Sequence, residues 1–191
     1  MDKKKIIDFF DKYASNWDHN LVCNDAVISK ILDLGGIKEG MSVLDVACGT
    51  GVLFTYYISR KADVTGIDIS TEMVKIAKSK FPQFEILCGD AEEISFDKSF
   101  DAVMIYNAFP HFPSPESLLL NLTSALKNGG RLTVAHGMSM KELEKCHSGV
   151  AEEVSLPLPE VHELAKLFPD EITVDITVSD NSMYIVSGIK K

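Results

Sequence analysis

The sequence lacks the features of a secreted, membrane-spanning or nucleic-acid-binding protein. Its four cysteines form no Cys-x-x-Cys pair, which is typical of a chain in a reducing compartment. No apolar run approaches the roughly 20 residues of a membrane helix, and the N-terminal apolar stretch is too short and too interrupted for a signal peptide. The net charge is −9, whereas binding to a phosphate backbone needs a basic surface. We therefore expect a cytoplasmic protein without a nucleic-acid or membrane partner.

The composition that is present is that of a folded chain. Hydrophobic residues make up 46% and charged residues 25% of the 191 residues. A chain of this length buries roughly 70% of its unfolded surface, so it needs no disulfide or metal in order to fold. We expect one domain, with a helical cap over 1–34, a core over 40–136, a helical region over 137–169 and a terminal hairpin over 170–191. Nothing in the sequence sets the oligomeric state.

Strand-like and helix-like segments alternate along the chain. Apolar helical spacing at 3–13 and 24–34 precedes a series of β-rich runs that are separated by helical patterns. Strands are predicted at 41–47, 62–67, 84–87, 101–106, 131–135, 172–178 and 183–189, and further helices at 52–60, 71–80, 115–128, 139–147 and 160–168. The alternation predicts an α/β fold with a doubly wound, mostly parallel sheet, and the last two strands predict an antiparallel hairpin.

The strongest functional signal is a strand that runs into a glycine turn and then a helix, at residues 43–51. Gly49 and Gly51 allow a ligand to approach the backbone closely, although a Gly-x-Gly turn also occurs as a purely structural connection. A nicotinamide-dinucleotide fingerprint would place its third glycine at position 54, where this chain has Phe54. Asp45, just before the turn, repels a pyrophosphate and suits a cationic group such as an amino group. The pattern therefore argues against a nicotinamide cofactor.

This segment resembles motif I of the class I S-adenosylmethionine-dependent methyltransferases. Four later segments resemble further motifs of that family, in the same order along the chain: 66–70, 88–92, 100–107 and 126–132. The likeness is good over about residues 40–136. It implies a seven-stranded sheet, S-adenosyl-L-methionine as methyl donor, S-adenosyl-L-homocysteine as product, and a small-molecule acceptor.

The resemblance also implies which residues bind the cofactor. Asp68 lies near the offset of roughly 20 residues at which ribose-binding acids follow such turns, and is implied to hold both ribose hydroxyls. Asp90 is implied to contact the adenine amino group, and Asp45 the methionine amino group. The other implied contacts are Ala47, Gly49, Gly51, Ile69, Met73, Ala91, Glu92 and Asn107.

The N-terminal segment 13–18 is similar to the segment that covers the cofactor in small-molecule methyltransferases of the quinone-biosynthesis type. The likeness implies that Tyr13 and Trp17 lie at the cofactor. The alternative is that both rings pack the helix onto the domain. The lysines at 3–5 are interpreted as a solvated helix start.

Three histidines are candidate catalytic residues. His111 follows the fourth strand pattern and His136 ends the fifth, and neighbouring parallel strands open into one crevice. We expect both to face the acceptor, with Cys146 and His147 near the same mouth. The group is interpreted as a source of a general base; the alternatives are a His/Cys cluster that holds a transition metal, or ordinary loop and helix-end histidines. No metal ligand is assigned.

The sequence therefore predicts methyl transfer from S-adenosylmethionine to a small molecule by in-line displacement. Because the cofactor supplies the electrophile, the protein mainly positions and desolvates the reactants. One alternative is an NAD-dependent oxidoreductase, which Phe54 and the lack of a recognisable Tyr-x-x-x-Lys pair oppose. The others are a non-catalytic S-adenosylmethionine-binding scaffold of the same fold and a methyltransferase with a histidine-bound metal.

Overall fold

A seven-stranded sheet with helices on both faces forms the centre of the computed structural model, which describes residues 1–21, 23–147 and 151–191. For Asn20, Glu144, Cys146 and His147 only the backbone is described. The strands are β1 (Ser42–Val46), β2 (Asp63–Asp68), β3 (Glu85–Cys88), β4 (Phe100–Tyr106), β5 (Leu126–His136), β6 (Ile172–Ser179) and β7 (Tyr184–Lys190).

The helices lie before, between and after these strands. They are α1 (Lys3–Tyr13), α2 (Trp17–Asn20), α3 (Asp25–Leu34), α4 (Phe54–Ser59), α5 (Thr71–Lys80), α6 (Pro115–Ser124), α7 (Met140–His147) and α8 (Val161–Leu167). Short 3-10 turns occur at Ala14–Asn16, Phe109–His111 and Glu152–Val154. Within the described ranges, no helix combines the length and the apolar character that crossing a membrane requires.

The strand order is β3-β2-β1-β4-β5-β7-β6. β1 to β5 are parallel, whereas β7 is antiparallel to both β5 and β6. The order reverses between β1 and β4, and in open α/β sheets ligands bind outside the carboxyl ends of the strands at such a point. The predicted α/β class, the seven strands and the C-terminal hairpin are confirmed.

The two faces of the sheet bury separate apolar clusters. Leu44 and Val46 of β1 pack with residues of α6 and α8 such as Leu122, while Val43 points to the opposite face and packs with Ile28 of α3. This alternation follows from the two-residue period of a strand. Because both faces are covered, the strands are fixed and the positions of their carboxyl ends are set by the sheet.

The boundary between α6 and β5 differs from the sequence prediction. The sequence predicts a helix that continues to residue 128 and a strand that begins at Arg131, but α6 ends at Ser124 and β5 begins at Leu126. Leu126 is buried and pairs with Phe100 before a shift in register. Gly129, with φ +78°, lies within this irregular part of the strand and does not end a helix.

Candidate active site

A cavity opens at the carboxyl ends of β1, β2 and β4, next to the reversal in strand order. Its wall includes the glycine turn after β1, Asp68 at the end of β2 and Asn107 after β4. Ile6 and Phe10 of α1 and Trp17 of α2 form another part of the wall. The cavity therefore lies between the sheet and the N-terminal helices.

The glycine turn needs both of its glycines, for different reasons. Gly49 lines the cavity with φ +55°, a left-handed conformation that glycine adopts without a steric penalty. Gly51, with φ +87°, is not part of the wall; a Cβ atom there would lie 2.8 Å from the ring of Phe81 and 3.1 Å from that of Phe54. This glycine accommodates the rings packed beneath the turn, and its expected contact with the cofactor stays a prediction.

Two other residues at the strand ends also have left-handed backbone. Ala47 after β1 and Asn107 after β4 both have φ +54°, and both line the cavity. For alanine this conformation costs roughly 1–2 kcal/mol. The Asn107 side chain accepts a hydrogen bond from the Gly137 backbone N–H at 2.9 Å, which ties the ends of β4 and β5 together. Backbone strain of this kind is found where a site must be held in one geometry.

Asp68 is held in place by backbone donors. Its Oδ2 accepts from the Gly49 N–H at 2.8 Å and its Oδ1 from the Ser70 N–H at 2.9 Å. Burial raises the pKa of this carboxyl to about 6, against the effect of those hydrogen bonds. Each carboxylate oxygen can accept a second hydrogen bond, so Asp68 retains the capacity to bind two hydroxyl groups at the cavity wall.

Asp45 lies beneath the turn and not at the cavity wall. It is 2% exposed, and its Oδ2 has no hydrogen-bond partner among the described residues. Burial, and then the nearby Asp68, raise the pKa of Asp45 well above its ordinary value. Asp45 is not among the residues that line the cavity, and its expected contact with a cationic group of the cofactor stays a prediction.

An acidic corner of the cavity is occupied by a lysine from α1. The Lys3 ammonium lies 2.5 Å from Asp90 Oδ2, 2.9 Å from Glu92 Oε2 and 2.7 Å from Glu93 Oε1. Partial burial opposes its charge, but these hydrogen bonds raise the pKa of Lys3 above its ordinary value. The interpretation of Lys3 as part of a solvated helix start is therefore wrong.

The position of Lys3 follows from the helical repeat of α1. Lys3, Ile6 and Phe10 are three and four residues apart, so they share one face of the helix, and all three line the cavity. The sequence contained this signal. Of the three lysines at 3–5, Lys3 lies on this face and lines the cavity.

The N-terminal helices are also attached to the core by two aspartates. Asp11 accepts a hydrogen bond from Ser70 Oγ at 2.5 Å. Asp18 accepts one from Thr50 Oγ1, also at 2.5 Å, and forms an ion pair with Lys80 at 2.8 Å. These contacts join α1 and α2 to the glycine turn and to α5, and so hold the helices over the cavity.

The two aromatic residues of segment 13–18 occupy different environments. Trp17 lines the cavity and packs edge-on against Phe10, with ring centroids 5.5 Å apart. Tyr13 is not part of the wall; it packs against Phe9 at 4.8 Å. The expected position of Tyr13 at the cofactor is corrected, and helix packing accounts for this side chain.

His111 is the histidine that the structure places at the cavity. It ends the 3-10 turn Phe109–His111 after β4, and its ring packs edge-on against Phe10 at 5.0 Å. Its Nδ1 lies 2.8 Å from the Val154 carbonyl oxygen and 3.2 Å from Ser155 Oγ. The imidazole is thus positioned by a segment far away in sequence.

His136 does not share that cavity. Its side chain is fully buried and packs edge-on against Tyr184, its partner across β5 and β7, at 5.8 Å. The two-residue period of β5 places it on the same face as Leu132 and Val134, which α6 and α8 cover. The prediction that His111 and His136 both face the acceptor is therefore wrong.

The remaining predicted catalytic residue is His147, which ends α7. Its side chain and that of Cys146 lie outside the described part of the structure, so the expectation that they approach the cavity mouth stays a prediction. Among the side chains that the structure does describe, no three histidine, cysteine, aspartate or glutamate residues are grouped as a metal site.

Comparison with known proteins identifies the family of this chain. A family profile described as "Methyltransferase domain" matches residues 44–134. This chain carries a class I methyltransferase domain. A demethylmenaquinone methyltransferase of Renibacterium salmoninarum is 33% identical over 146 residues, which are 71% of this chain and 60% of that protein. The chain spans about three fifths of the length of that curated relative, and slightly less of others.

Solved structures share the architecture of the methyltransferase domain over nearly the whole chain. A SAM-dependent methyltransferase from Aquifex aeolicus has 25% identity and a TM-score of 0.71, with 86% of this chain and 89% of that chain covered. The magnesium protoporphyrin IX methyltransferase of Synechocystis, solved with bound SAH, has 18% identity and a TM-score of 0.73, with both chains fully covered. At that identity the second likeness concerns the fold alone.

Most residues that the sequence predicted for the cofactor lie at the cavity of the methyltransferase domain. They are Trp17, Ala47, Gly49, Asp68, Ile69, Met73, Asp90, Ala91, Glu92 and Asn107. Sequence reasoning missed several wall residues outside the family motifs. These are Lys3, Ile6, Phe10, Leu21, Cys23 and Phe112. Of these, only the α1 residues could have been predicted from the sequence, because their helical spacing places them on one face of the helix.

Proposed function

We propose that this chain transfers a methyl group from S-adenosyl-L-methionine to a small-molecule acceptor and releases S-adenosyl-L-homocysteine. The observation that carries the proposal is the cavity at the reversal in strand order. Gly49, Asp68 and Asp90 line that cavity at the ends of three neighbouring strands. These residues are the ones that the family resemblance implies for the methionine, ribose and adenine parts of the cofactor.

The residues present fit that cofactor. Asp68 retains hydrogen-bonding capacity for the ribose hydroxyls beyond its two backbone donors. Asp90 Oδ1 accepts from the Glu92 N–H at 2.9 Å and can accept a second hydrogen bond from an amino group. Gly49 leaves open space, since the nearest described atom to a Cβ there, chain neighbours aside, would be Trp17 Nε1 at 4.0 Å. A cationic group bound nearby would favour the ionised form of Asp45, against the burial that raises the pKa of this carboxyl.

The chain's own residues would act on the acceptor and on water. S-adenosylmethionine, when bound, supplies an electrophilic methyl group on a positively charged sulfonium. His111 would accept the proton that the acceptor's nucleophilic atom gives up on methylation, and so would act as the general base. Phe10 and Trp17 cover the cavity with apolar surface, which keeps water out during transfer.

We propose a division of work along the chain. Residues 1–34 close the cavity, 40–136 bind the cofactor, 137–169 contribute to acceptor binding and 170–191 complete the sheet. The N-terminal contacts of Lys3, Asp11 and Asp18 support the first assignment. The hydrogen bonds from His111 to residues 154 and 155 support the third.

We also propose a cytoplasmic setting and a small-molecule acceptor. Cys23, Cys48 and Cys88 are free thiols, which suits a reducing compartment. A net charge of −9 disfavours nucleic acid as the acceptor. Aromatic and apolar side chains near His111, namely Phe10, Tyr106 and Phe112, suit an acceptor with an apolar part.

Calorimetric titration of the purified chain tests the proposal. S-adenosylmethionine and S-adenosylhomocysteine should bind, and NADH should not. A panel of hydroxyl, thiol and amine acceptors should then reveal turnover with the methyl donor. Absence of cofactor binding would overturn the proposal, whereas binding without turnover on any acceptor would support the scaffold alternative. Elemental analysis of the same sample tests the metal alternative.

A further inference from the structure

The hydrogen bonds of His111 fix where its ring carries a proton. Nδ1 lies 2.8 Å from the Val154 carbonyl oxygen, and a carbonyl oxygen can only accept. Nδ1 must therefore be the donor in this contact. In a neutral imidazole one nitrogen carries the proton and the other a lone pair, so Nε2 carries the lone pair.

Ser155 makes the same assignment independently. Its Oγ donates its single proton to the Ala151 carbonyl oxygen at 2.8 Å. Toward His111, 3.2 Å away, Ser155 Oγ is therefore an acceptor as well. Both polar neighbours of Nδ1, the Val154 carbonyl oxygen and Ser155 Oγ, are therefore acceptors, and both contacts call for a proton on Nδ1.

The segment that supplies these acceptors is anchored beside His111. The Leu156 N–H donates to the Pro110 carbonyl oxygen at 2.7 Å, directly next to the histidine in sequence. Val154 is buried and its N–H donates to the Ala151 carbonyl oxygen at 3.1 Å. The acceptors are thus held by backbone contacts, and Phe10 packs on the same imidazole ring at 5.0 Å.

We propose that residues 151–155 set the tautomer of His111, so that its basic lone pair lies on Nε2, and that Ser155 is a positioning residue. This inference rests on the proposed methyl transfer and narrows its substrate class. A base held in this form serves an acceptor whose nucleophilic atom carries a proton, namely a hydroxyl, a thiol or a primary or secondary amine. A thioether or a tertiary amine gives up no proton and has no use for it.

Nitrogen-15 NMR of histidine-labelled protein at pH 8 measures the tautomer directly. The His111 signal is assigned by its loss in His111→Gln, and the exposed His162 serves as the internal reference for an unconstrained ring. The Nδ1–H form of His111 should exceed the Nε2–H form by about fivefold or more, the factor that one hydrogen bond with a net strength of about 1 kcal/mol supplies. A predominantly Nε2–H ring, or a doubly protonated ring at this pH, would overturn the proposal.

Two variants test the part of Ser155. Ser155→Ala removes one of the two acceptors and should lower the ratio of Nδ1–H to Nε2–H by about threefold. Ser155→Thr keeps the hydroxyl and should restore it. An unchanged ratio in Ser155→Ala would show that Ser155 does not influence the tautomer of His111. Because the spectra need neither cofactor nor acceptor, failure here is distinguishable from failure of the proposed function, which the calorimetric titration tests.

Discussion

The two sides of the cavity are built in different ways. On the cofactor side, Gly49, Asp68 and Asn107 come at or directly after the ends of β1, β2 and β4, so the sheet itself brings them together. On the acceptor side, Phe10 and Ser155 meet at His111 although they lie far apart in sequence. Residues placed by a sheet can be predicted from strand patterns, whereas residues placed by the packing of surface segments cannot.

The two sides also differ in electrostatics. The cofactor side has two acids whose pKa burial raises, Asp45 and Asp68. An unpaired buried carboxylate destabilises the folded chain, and a cationic ligand relieves that cost. The acceptor side has aromatic rings and an imidazole held by Val154 and Ser155. We therefore expect changes on the first side to affect binding and stability, and changes on the second to affect turnover.

The largest expected effect separates the two sides. His111→Ala should lower the rate of methyl transfer by at least about 100-fold, the lower range for loss of a general base. Cofactor affinity should stay within about twofold, because His111 lies on the acceptor side. Rates on the best acceptor and calorimetric affinities measure both. His162→Ala is the matched control on an exposed helix position, and equal rates for the two variants would contradict the role of His111.

Asp68→Ala should act on the opposite side. Loss of a charged acceptor for the ribose hydroxyls should weaken S-adenosylmethionine binding by at least ~1.5 kcal/mol, more than tenfold. Asp63→Ala changes an exposed aspartate at the other end of the same strand and should bind normally. Since binding needs the carboxylate, affinity of the unmodified chain should fall as the pH drops through about 6. Unaltered affinity in Asp68→Ala would contradict the assignment.

Asp45→Asn should stabilise the cofactor-free chain. Because the folded-state pKa of Asp45 is raised, the folded chain keeps a proton at pH values where the unfolded chain has released it. Stability is therefore lost as the pH rises from the ordinary carboxyl pKa through the raised pKa of the folded state. Removing the charge should therefore increase the free energy of unfolding by about 1 kcal/mol at pH 8 and by less at pH 5. Urea unfolding at both pH values measures this. A variant that is less stable at pH 8 would show that the carboxylate is satisfied.

Lys3→Met should have a smaller effect, at the boundary between the two sides. It removes the ion pairs of Lys3 with Asp90, Glu92 and Glu93. The Lys3 side chain is 32% exposed, and ion pairs that reach solvent are worth about 1 kcal/mol or less. We expect cofactor dissociation to become about two- to fivefold faster in stopped flow. Lys4→Met, on the neighbouring exposed position, should leave it unchanged. Equal dissociation rates for both variants would show that the ion pairs of Lys3 do not help to keep the cavity closed.

The smallest effect is spectroscopic. Trp17 is the only tryptophan and lines the cavity, so its fluorescence should change when S-adenosylhomocysteine saturates the chain. Trp17→Phe removes the signal and controls for ligand absorbance. A spectrum that is the same with and without saturating ligand would show that Trp17 stays remote from the cofactor.

The order of elements and most of the cofactor side could be predicted from the sequence. β-rich runs, the glycine turn and the acids after β2 and β3 carry strong local signals, and a parallel sheet brings strand ends together. The motif at residues 43–51 does not indicate which of its own residues face the cavity. Asp45 and Gly51 belong to the motif but are not part of the cavity wall; Asp45 is buried, and Gly51 packs against the rings of Phe81 and Phe54.

The acceptor side could not be predicted in the same way. His136 comes at a strand end, but the strand period turns it to the covered face, and no local pattern showed which face that was. The contacts of Val154 and Ser155 with His111 join segments more than forty residues apart in sequence. Such contacts depend on tertiary packing, which local propensities do not encode.

The central claim is that one cavity joins a cofactor side at Asp68 to an acceptor side at His111. A crystal structure with S-adenosylhomocysteine tests it most directly. The ribose hydroxyls should lie within hydrogen-bonding distance of the Asp68 carboxylate, with the sulfur on the side of the cavity that His111 lines. A ribose bound away from Asp68, or a sulfur more than roughly 10 Å from His111 and so beyond proton transfer even through one water, would contradict it.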